Sequence, residues 1–408
     1  MTIKELALQT AEEMLAAGLT ARTVWSTHDA SFLPIVRTHE ICGKEEFDRT
    51  IMSDYVCGIE KRVEQGEIKP EYYRKLLRGA QRLTEMHDHG KLIWTAPKLA
   101  SKFKLNNYFQ TVLDEFLSYV KFGPKSQSDA MWVTRKYFSW LMLEGHNNLN
   151  KTGAVEVQRF MIYCSNHMKA ASIHNVKLYM KKLYRFLAER GYSINTFEGL
   201  FKFKVSRESK LYPAAEPEET AFILDIIDRR IPQRKRDYAI ILLGMVTGLR
   251  AGDIAKLRLA DIDWKNGEIN IIQTKTGVPL ALPLTADIGK AIEDYVLNAR
   301  QGTDSDTVFL SSRAPHKGFT SGVAIQDLYD NYFKKVNLPR NAFDGRGFHS
   351  LRRAVGKSLV TAGVPIESVA QIMGDNNIDS IKKYVALDNH HLKECALDFS
   401  GIGKGAQS

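Results

Sequence analysis

His349, Arg352 and Tyr384 stand in one stretch, 347–384, that opens Gly-Phe-His-Ser-Leu-Arg-Arg and closes Lys-Lys-Tyr-Val. These residue types suit chemistry on a phosphate. A guanidinium forks onto two oxygens, an imidazole moves a proton near neutral pH, and a phenol becomes a nucleophile once its proton leaves. His349 and Arg352 are three apart and so share one face at the start of a helix, where the dipole also favours an anion. Two further groups could serve the same chemistry: Arg250 in Thr-Gly-Leu-Arg-Ala-Gly-Asp, 247–253, and Lys275 in Thr-Lys-Thr-Gly, 274–277. Each has a plainer reading. Arg250 would pair with Asp253 three residues on, Lys275 would be a surface hairpin lysine, and Tyr384 a packed core tyrosine.

The elements that must position these groups are legible around them. Residues 216–230 and 236–247 read as helices, and Gly248 permits a sharp turn before Arg250. A turn at 261–267 precedes strands 268–273 and 278–283, a hairpin that carries Lys275 near its tip. Helices follow at 286–299 and 321–336, separated by the apolar Val308-Phe309-Leu310, read as an edge strand. Ser350 is placed to cap a helix running to Thr361; Gly363 ends it, Pro365 starts the next and Gly374 stops that one. Tyr384 falls in a short helical segment, 379–385, directly after Lys382 and Lys383. Residues 389–399 form a last helical pattern with Leu392, Ala396 and Leu397 on one face, and 401–408 a tail. Arg229, Arg230, Arg234, Lys235 and Arg236, the densest positive charge in the chain, read as solvent-facing.

The first half is helical throughout. Patterns run at the N-terminus and over 23–36, 45–65 and 70–87, then over 107–120, 129–144, 155–167 and 172–190, the last stopped by Gly191. The helix at 172–190 sets Lys177, Lys181, Lys182 and Arg185 opposite its apolar stripe, and 71–87 sets out Arg74, Lys75, Arg78 and Arg82 in the same way. That layout suits a phosphate backbone, although a basic face is more often solvated surface. Tyr108, Phe109, Trp132, Tyr137, Phe138 and Trp140 read as core. The apolar positions of the two long helices coincide at one offset, a pattern that any two amphipathic helices share. The polar, basic stretch 201–213 breaks the helical pattern and marks the main domain boundary.

Composition bounds these readings. With 408 residues and 44% hydrophobic residues, the chain is globular and long enough for two or three domains. A net charge of +10 and a pI near 9.2 favour a polyanionic partner. Cys42, Cys57, Cys164 and Cys395 are scattered without a Cys-x-x-Cys pair, which argues against a zinc knuckle or a disulfide framework and fits a reducing cytosol. The N-terminus reads as an acidic amphipathic helix rather than a signal peptide, and no apolar run approaches the roughly twenty residues that span a bilayer.

Taken together, four motifs in order resemble the catalytic domain of the tyrosine recombinase, or phage integrase, family over about 216–398. They are Thr-Gly-Leu-Arg-Ala-Gly-Asp, Gln-Thr-Lys-Thr-Gly-Val, Phe-His-Ser-Leu-Arg-Arg, and Met-Gly-Asp-Asn-Asn with Tyr384 nine residues after Asp375. The resemblance implies a mainly α fold with a small β-hairpin or sheet in a catalytic domain at 214–400. It also implies a helical core-DNA-binding domain at 105–200, joined by a basic linker at 201–213, the two domains clamping DNA. A further helical domain at 1–100 would bind arm-type DNA, extend the clamp or mediate assembly.

The implied activity is site-specific recombination through a 3′-phosphotyrosine, without metal, ATP or other cofactor. Arg250 and Arg352 would hold the scissile phosphate, His349 and Lys275 would move protons, and Tyr384 would attack. Two guanidiniums suit the charge of a pentacoordinate phosphorus, and a phenol with an ordinary pKa near 10 needs such a positive site. Where the family most often has His, and sometimes Trp, this chain has Asp375, which accepts hydrogen bonds but cannot donate one to phosphate; Asn376 or Asn377 could donate instead.

The implied partners are double-stranded DNA bearing recombination sites, a homotetramer assembled through 389–399, and an accessory DNA-bending or directionality factor. No membrane is involved, and the setting is the cytoplasm of a bacterium or a phage-infected cell. The alternatives are a type IB topoisomerase, a telomere-resolvase-like enzyme, or a DNA-binding protein whose catalysis has decayed.

Overall fold

The computed structural model describes residues 1–97, 103–204, 210–336, 338, 341, 344–375 and 380–387. The expected helix at 389–399, the tail at 401–408, Asn376 and Asn377 lie outside the described residues. The chain divides into two compact units, Met1–Thr95 with Lys210–Ser408, and Ala96–Ser209. Among the described residues no helix is long and apolar enough to cross a membrane.

The first unit opens with helices α1 (Ile3–Ala16), α2 (Ala21–Thr27), α3 (Leu33–Ile41), α4 (Arg49–Glu64) and α5 (Pro70–His89). The stretch 23–36, expected as one regular helix, is instead α2 and α3 joined by a π-helical turn, His28–Phe32, which buries Ser31 and Phe32. Helix α4 starts four residues later than its pattern suggested, because Asp48 caps it by accepting from the Thr50 and Ile51 amides at 2.8 and 3.2 Å. Ile3, Leu6, Phe32, Ile35 and Leu83 form the core of this group. Arg82 belongs to that interior rather than to the basic face read from sequence: it is 7% exposed and pairs with the buried Glu85 at 2.5 Å.

The second unit is built from α6 (Asn107–Tyr119), α7 (Pro124–Leu143), α8 (Ala154–His167) and α9 (Ala170–Glu189). Phe109, Tyr137, Phe138 and Trp140 are buried as expected, whereas Trp132 is exposed. The one hydrogen-bonding atom of each buried phenol is satisfied by the other, Tyr137 Oη to Tyr184 Oη at 2.5 Å. Phe201, read as the start of the linker, is buried in this core.

The remainder of the first unit runs α10 (Pro217–Asp225), α11 (Pro232–Thr247), α12 (Ala251–Ala255), then the antiparallel strands β1 (Ile262–Asp263), β2 (Glu268–Ile272) and β3 (Pro279–Pro283). It continues with α13 (Ala286–Asn298), α14 (Val323–Lys335), α15 (His349–Thr361), α16 (Ile366–Met373) and α17 (Lys382–Val385). A mainly helical chain with one small sheet is therefore what the sequence pattern predicts. Part of the expected turn at 261–267 forms β1, pairing Ile262 with Ile269.

Three local expectations change. Val308-Phe309-Leu310 is buried but forms only single bridges at its flanks, Arg258 with Thr307 and Leu310 with Gly318. The Arg300 guanidinium bonds the carbonyls of Ser305, Thr307 and Val308, acceptors that a neighbouring strand would otherwise use. Arg236 is buried, held by Asp237 and the Leu310 carbonyl at 2.6 and 2.7 Å, because its place on α11 faces that segment instead of solvent. Ser350 lies inside the first turn of α15, not at its cap; Phe348 takes the cap position, and the Ser350 carbonyl accepts from the Ala215 amide.

Candidate active site

Arg250 caps the short helix α12, and Arg352 projects from the first turn of α15. The two elements are remote in sequence, yet both guanidiniums reach one carboxylate: Arg250 Nη2 meets Asp375 Oδ1 at 2.5 Å, and Arg352 Nη2 meets Oδ2 at 3.1 Å. The side chains of Arg250, Arg352 and Asp375 are only 15, 3 and 10% exposed. Asp375 reaches this place because α16 ends in a left-handed residue, Gly374 (φ 60°), which turns the chain back toward the arginines.

Each arginine is fixed from behind. Arg352 donates to the carbonyls of Gly248 and Met373 at 3.0 and 2.5 Å. Arg250 donates to Gln273 Oε1 at 2.5 Å, and Gln273 in turn accepts from Thr276 and donates to the Met373 carbonyl. Asp253, proposed from spacing as the partner of Arg250, accepts instead from the Thr274 amide at 2.8 Å and so grips the loop that carries Lys275. Lys275 is exposed at the β2–β3 loop, with no partner among the described residues.

Tyr384 lies on α17 and is fully buried, packed among Val369, Ala370, Met373 and Ile381. Its ring lies directly over Gly356 of α15, where an added Cβ would come within 2.7 Å. Among the described residues Oη has no hydrogen bond of ordinary geometry; Arg352 is near enough to act on it by charge and a weak contact. Burial raises the phenol pKa, as does Asp375, while Arg352 and Arg250 oppose the rise.

His349 begins α15 and opens onto a cleft of about 520 Å³ lined also by Tyr212, Arg353 and Lys383. Crowding by protein, then the charges of Arg353, Lys383, Arg352 and Arg250, push its imidazolium down to about 3. His349 is exposed to solvent, which tempers the desolvation; four nearby cations fix the direction, so His349 is neutral at pH 7. Burial also lowers the Lys383 pKa, with Arg352, Arg250 and Lys275 adding repulsion and Asp375 opposing it. Its Nζ stands 4.8 Å from the Tyr384 ring centre.

The structure thus gathers Arg250, Arg352, Asp375, Tyr384 and His349 at one locus, with Lys275 on an adjoining loop. Three supporting residues were not singled out from sequence. Gln273 continues the inward alternation of Ile269 and Ile271, and a buried amide at the end of an apolar stripe was the available signal. Arg353 ties α15 to the Pro213 and Gly345 carbonyls, and Lys383 enters the cleft. Neither carries a sequence signal that separates it from an ordinary surface cation.

The basic residues of the second unit are partly committed within it. Lys177 donates to the Phe203 carbonyl at 2.6 Å, Arg185 pairs with Glu198, and Lys182 sits 4.4 Å from the Phe122 ring centre. Lys181 and Lys182 are half-buried and Arg185 is exposed. In the first unit, Arg74 and Arg78 are exposed and Lys75 donates to Ser26.

Two fixed arginines thus converge on one anion beside a tyrosine, on helices around a small sheet. The phage integrase family profile matches residues 215–391, which include every one of those groups. The Sinorhizobium fredii protein y4gC, an integrase/recombinase by name, is 32% identical over 191 residues, 46% of this chain and 95% of its own length. The chain therefore belongs to the phage integrase family, the tyrosine recombinases. A second S. fredii protein of that name, y4rF, is 28% identical over 288 residues, 68% of this chain, which spans 66% of its length. The fold is similar to that of the XerH site-specific recombinase bound to a palindromic difH substrate, with a TM-score of 0.54, 16% identity, and 73% of this chain and 90% of that one covered.

Proposed function

We propose that the chain is a site-specific DNA recombinase that cleaves and rejoins strands through a 3′-phosphotyrosine, integrating or excising mobile DNA. The observation that carries this reading is the seat itself: Arg250 and Arg352 converge on two oxygens of one anion, with Tyr384 adjacent.

In this reading Asp375 occupies the place of the scissile phosphate in the free chain. The incoming phosphate takes over the inward N–H donors of the two arginines, and Asp375 moves aside, keeping at most an outer contact. The arginines need no other anchor, because Gly248, Met373 and Gln273 hold them from behind. Tyr384 leaves its apolar pocket by movement of α17, and its pKa falls as it exchanges hydrophobic walls for two cations. Its oxygen attacks phosphorus, the P–O5′ bond breaks, and the strand leaves as a 5′-hydroxyl. Neutral His349 takes the phenolic proton, helped by the phosphate's charge, which raises its basicity, and Lys275 supplies a proton to the departing 5′ oxygen. A 5′-hydroxyl from a second duplex then attacks the phosphotyrosine and restores Tyr384, so bond energy is conserved without ATP.

One tyrosine per chain and four strand cleavages per exchange require four chains, which supports a tetramer on two DNA sites. The cations of α9 and α5 supply duplex contacts from the domains at 105–200 and 1–100, and an accessory DNA-bending or directionality factor would set direction.

A nicked suicide duplex that traps the covalent adduct tests the reading. The chain should form a 3′-linked adduct and the Tyr384→Phe variant none. Equal behaviour of the two would leave only DNA binding. Adducts that relax supercoils without ever joining two sites would identify a topoisomerase.

A further inference from the structure

A second cleft, of about 760 Å³, lies elsewhere in the first unit, between α2, α5, Trp94 and the loop 312–316, and shares no lining residue with the cleft beside His349. Its cations are Lys75, Arg78 and Arg82 from α5 and Arg313 from the loop, and no Asp or Glu lines it. Arg82 is neutralised by Glu85. Lys75 donates only to Ser26 Oγ, at 2.7 Å, and Arg78 and Arg313 are exposed with no carboxylate partner among the described residues. Three positive charges therefore face one concave surface uncompensated.

That surface is held in shape. Glu85 accepts from the amides of Ile93, Trp94 and Thr95 at 3.2, 2.9 and 2.7 Å, which fixes Trp94 in a left-handed conformation (φ 62°) beside α5. Lys317 Nζ donates to the Ile93 carbonyl at 2.5 Å and ties the far loop to the same strap. Met14, Leu19 and Trp94 add apolar surface to the lining, with the Arg82 guanidinium over the Trp94 ring at 5.2 Å. Thr20 and Thr23 share one hydrogen bond between their hydroxyls, so one of those two protons is free to donate.

Uncompensated cations around one concave surface focus a positive potential that raises the local concentration of anions. Two guanidinium forks and a hydroxyl donor suit the oxygens of a phosphate, and the apolar surface suits a sugar and base. We propose that this cleft binds a nucleotide through its phosphate, with Arg78 and Arg313 as the principal contacts. The nucleotide belongs either to the bound DNA, away from the cleavage point, or to a free nucleotide. The first source rests on the DNA reading above; the phosphate chemistry does not.

The test uses the full chain and the R78A/R313A variant, with R78K/R313K as a control that keeps charge but loses the fork. Duplex affinity is measured across a salt series, and ATP binding by calorimetry. If the occupant is DNA, R78A/R313A weakens duplex binding about tenfold at low salt and lowers the log–log salt slope by about two, roughly 0.9 per phosphate contact. The lysine variant keeps most of that slope. If the occupant is a free nucleotide, the parent chain binds ATP, the alanine variant does not, and the duplex slope is unchanged. Unchanged duplex binding together with no ATP binding by the parent chain overturns the proposal. Neither measurement reads Tyr384, so loss of the covalent adduct would defeat the recombinase reading and leave this one standing.

Discussion

Arginines occur in two settings within the first unit, and the two are held in opposite ways. Arg250 and Arg352 are almost fully buried, with donors assigned to the Gly248 and Met373 carbonyls, Gln273 and Asp375. Arg78 and Arg313 are exposed, with no acidic neighbour lining their cleft. A buried guanidinium gives a rigid, directional donor but has to be satisfied in the free chain, and here an aspartate supplies the missing anion. An exposed guanidinium needs no such substitute and meets its partner as a flexible charge. The first arrangement suits bond making, where geometry within tenths of an ångström matters; the second suits holding.

The comparison is broken most severely by removing the rigid pair. Arg352→Ala should reduce adduct formation on the suicide duplex by at least about 10²-fold, as for loss of one preorganised donor. It should also cost about 1–3 kcal/mol of stability, because two buried carbonyls lose their donor while Asp375 keeps Arg250; adduct yield and urea unfolding give the two numbers. Arg78→Ala, by contrast, should leave the denaturant midpoint within about 0.5 kcal/mol.

Gly356→Ala tests whether the resting place of Tyr384 matters. The new methyl overlaps the Tyr384 ring, so stability should fall by about 1–3 kcal/mol by thermal melting. Tyrosine fluorescence should shift as α17 is displaced.

Asp375→Asn sharpens the role of the internal anion. The amide keeps the shape, loses the charge and gains a donor, so single-turnover cleavage should rise several-fold and inorganic sulfate should inhibit more strongly. A fall in both would mean that Asp375 orients the arginines instead of excluding the phosphate.

A pH-dependent effect is expected at His349. Its folded-state pKa is lowered, to about 3, below the unfolded value near 6.5. Between those values the unfolded chain binds more protons, so this group's contribution to stability is fully present above about pH 6.5 and is lost as the pH falls toward 3. His349→Gln should flatten that part of the stability–pH curve, as read by urea midpoints.

The main features of the fold were legible because helices and hairpins are local: apolar spacing, a Pro start and Gly stops mark many of them. Arg250, Lys275, His349, Arg352, Asp375 and Tyr384 were legible by type and order. Departures arose where a long-range partner outweighed the local pattern. Arg236 sits among five basic residues, yet turns inward to the Leu310 carbonyl, and Arg300 takes the acceptors that would have made 308–310 a strand. Gln273 looked like a strand end and proved to be the rear support of Arg250.

By itself, then, the sequence determined which groups are present and which helices carry them, since periodicity and capping act over a few residues. Only the tertiary structure decided what those groups face. The contact of Arg250 with Asp375 spans 125 positions, and that of Gln273 with the Met373 carbonyl spans 100. Packing of α11, α15 and α16 brings them together, and burial then requires every charge so gathered to find a partner.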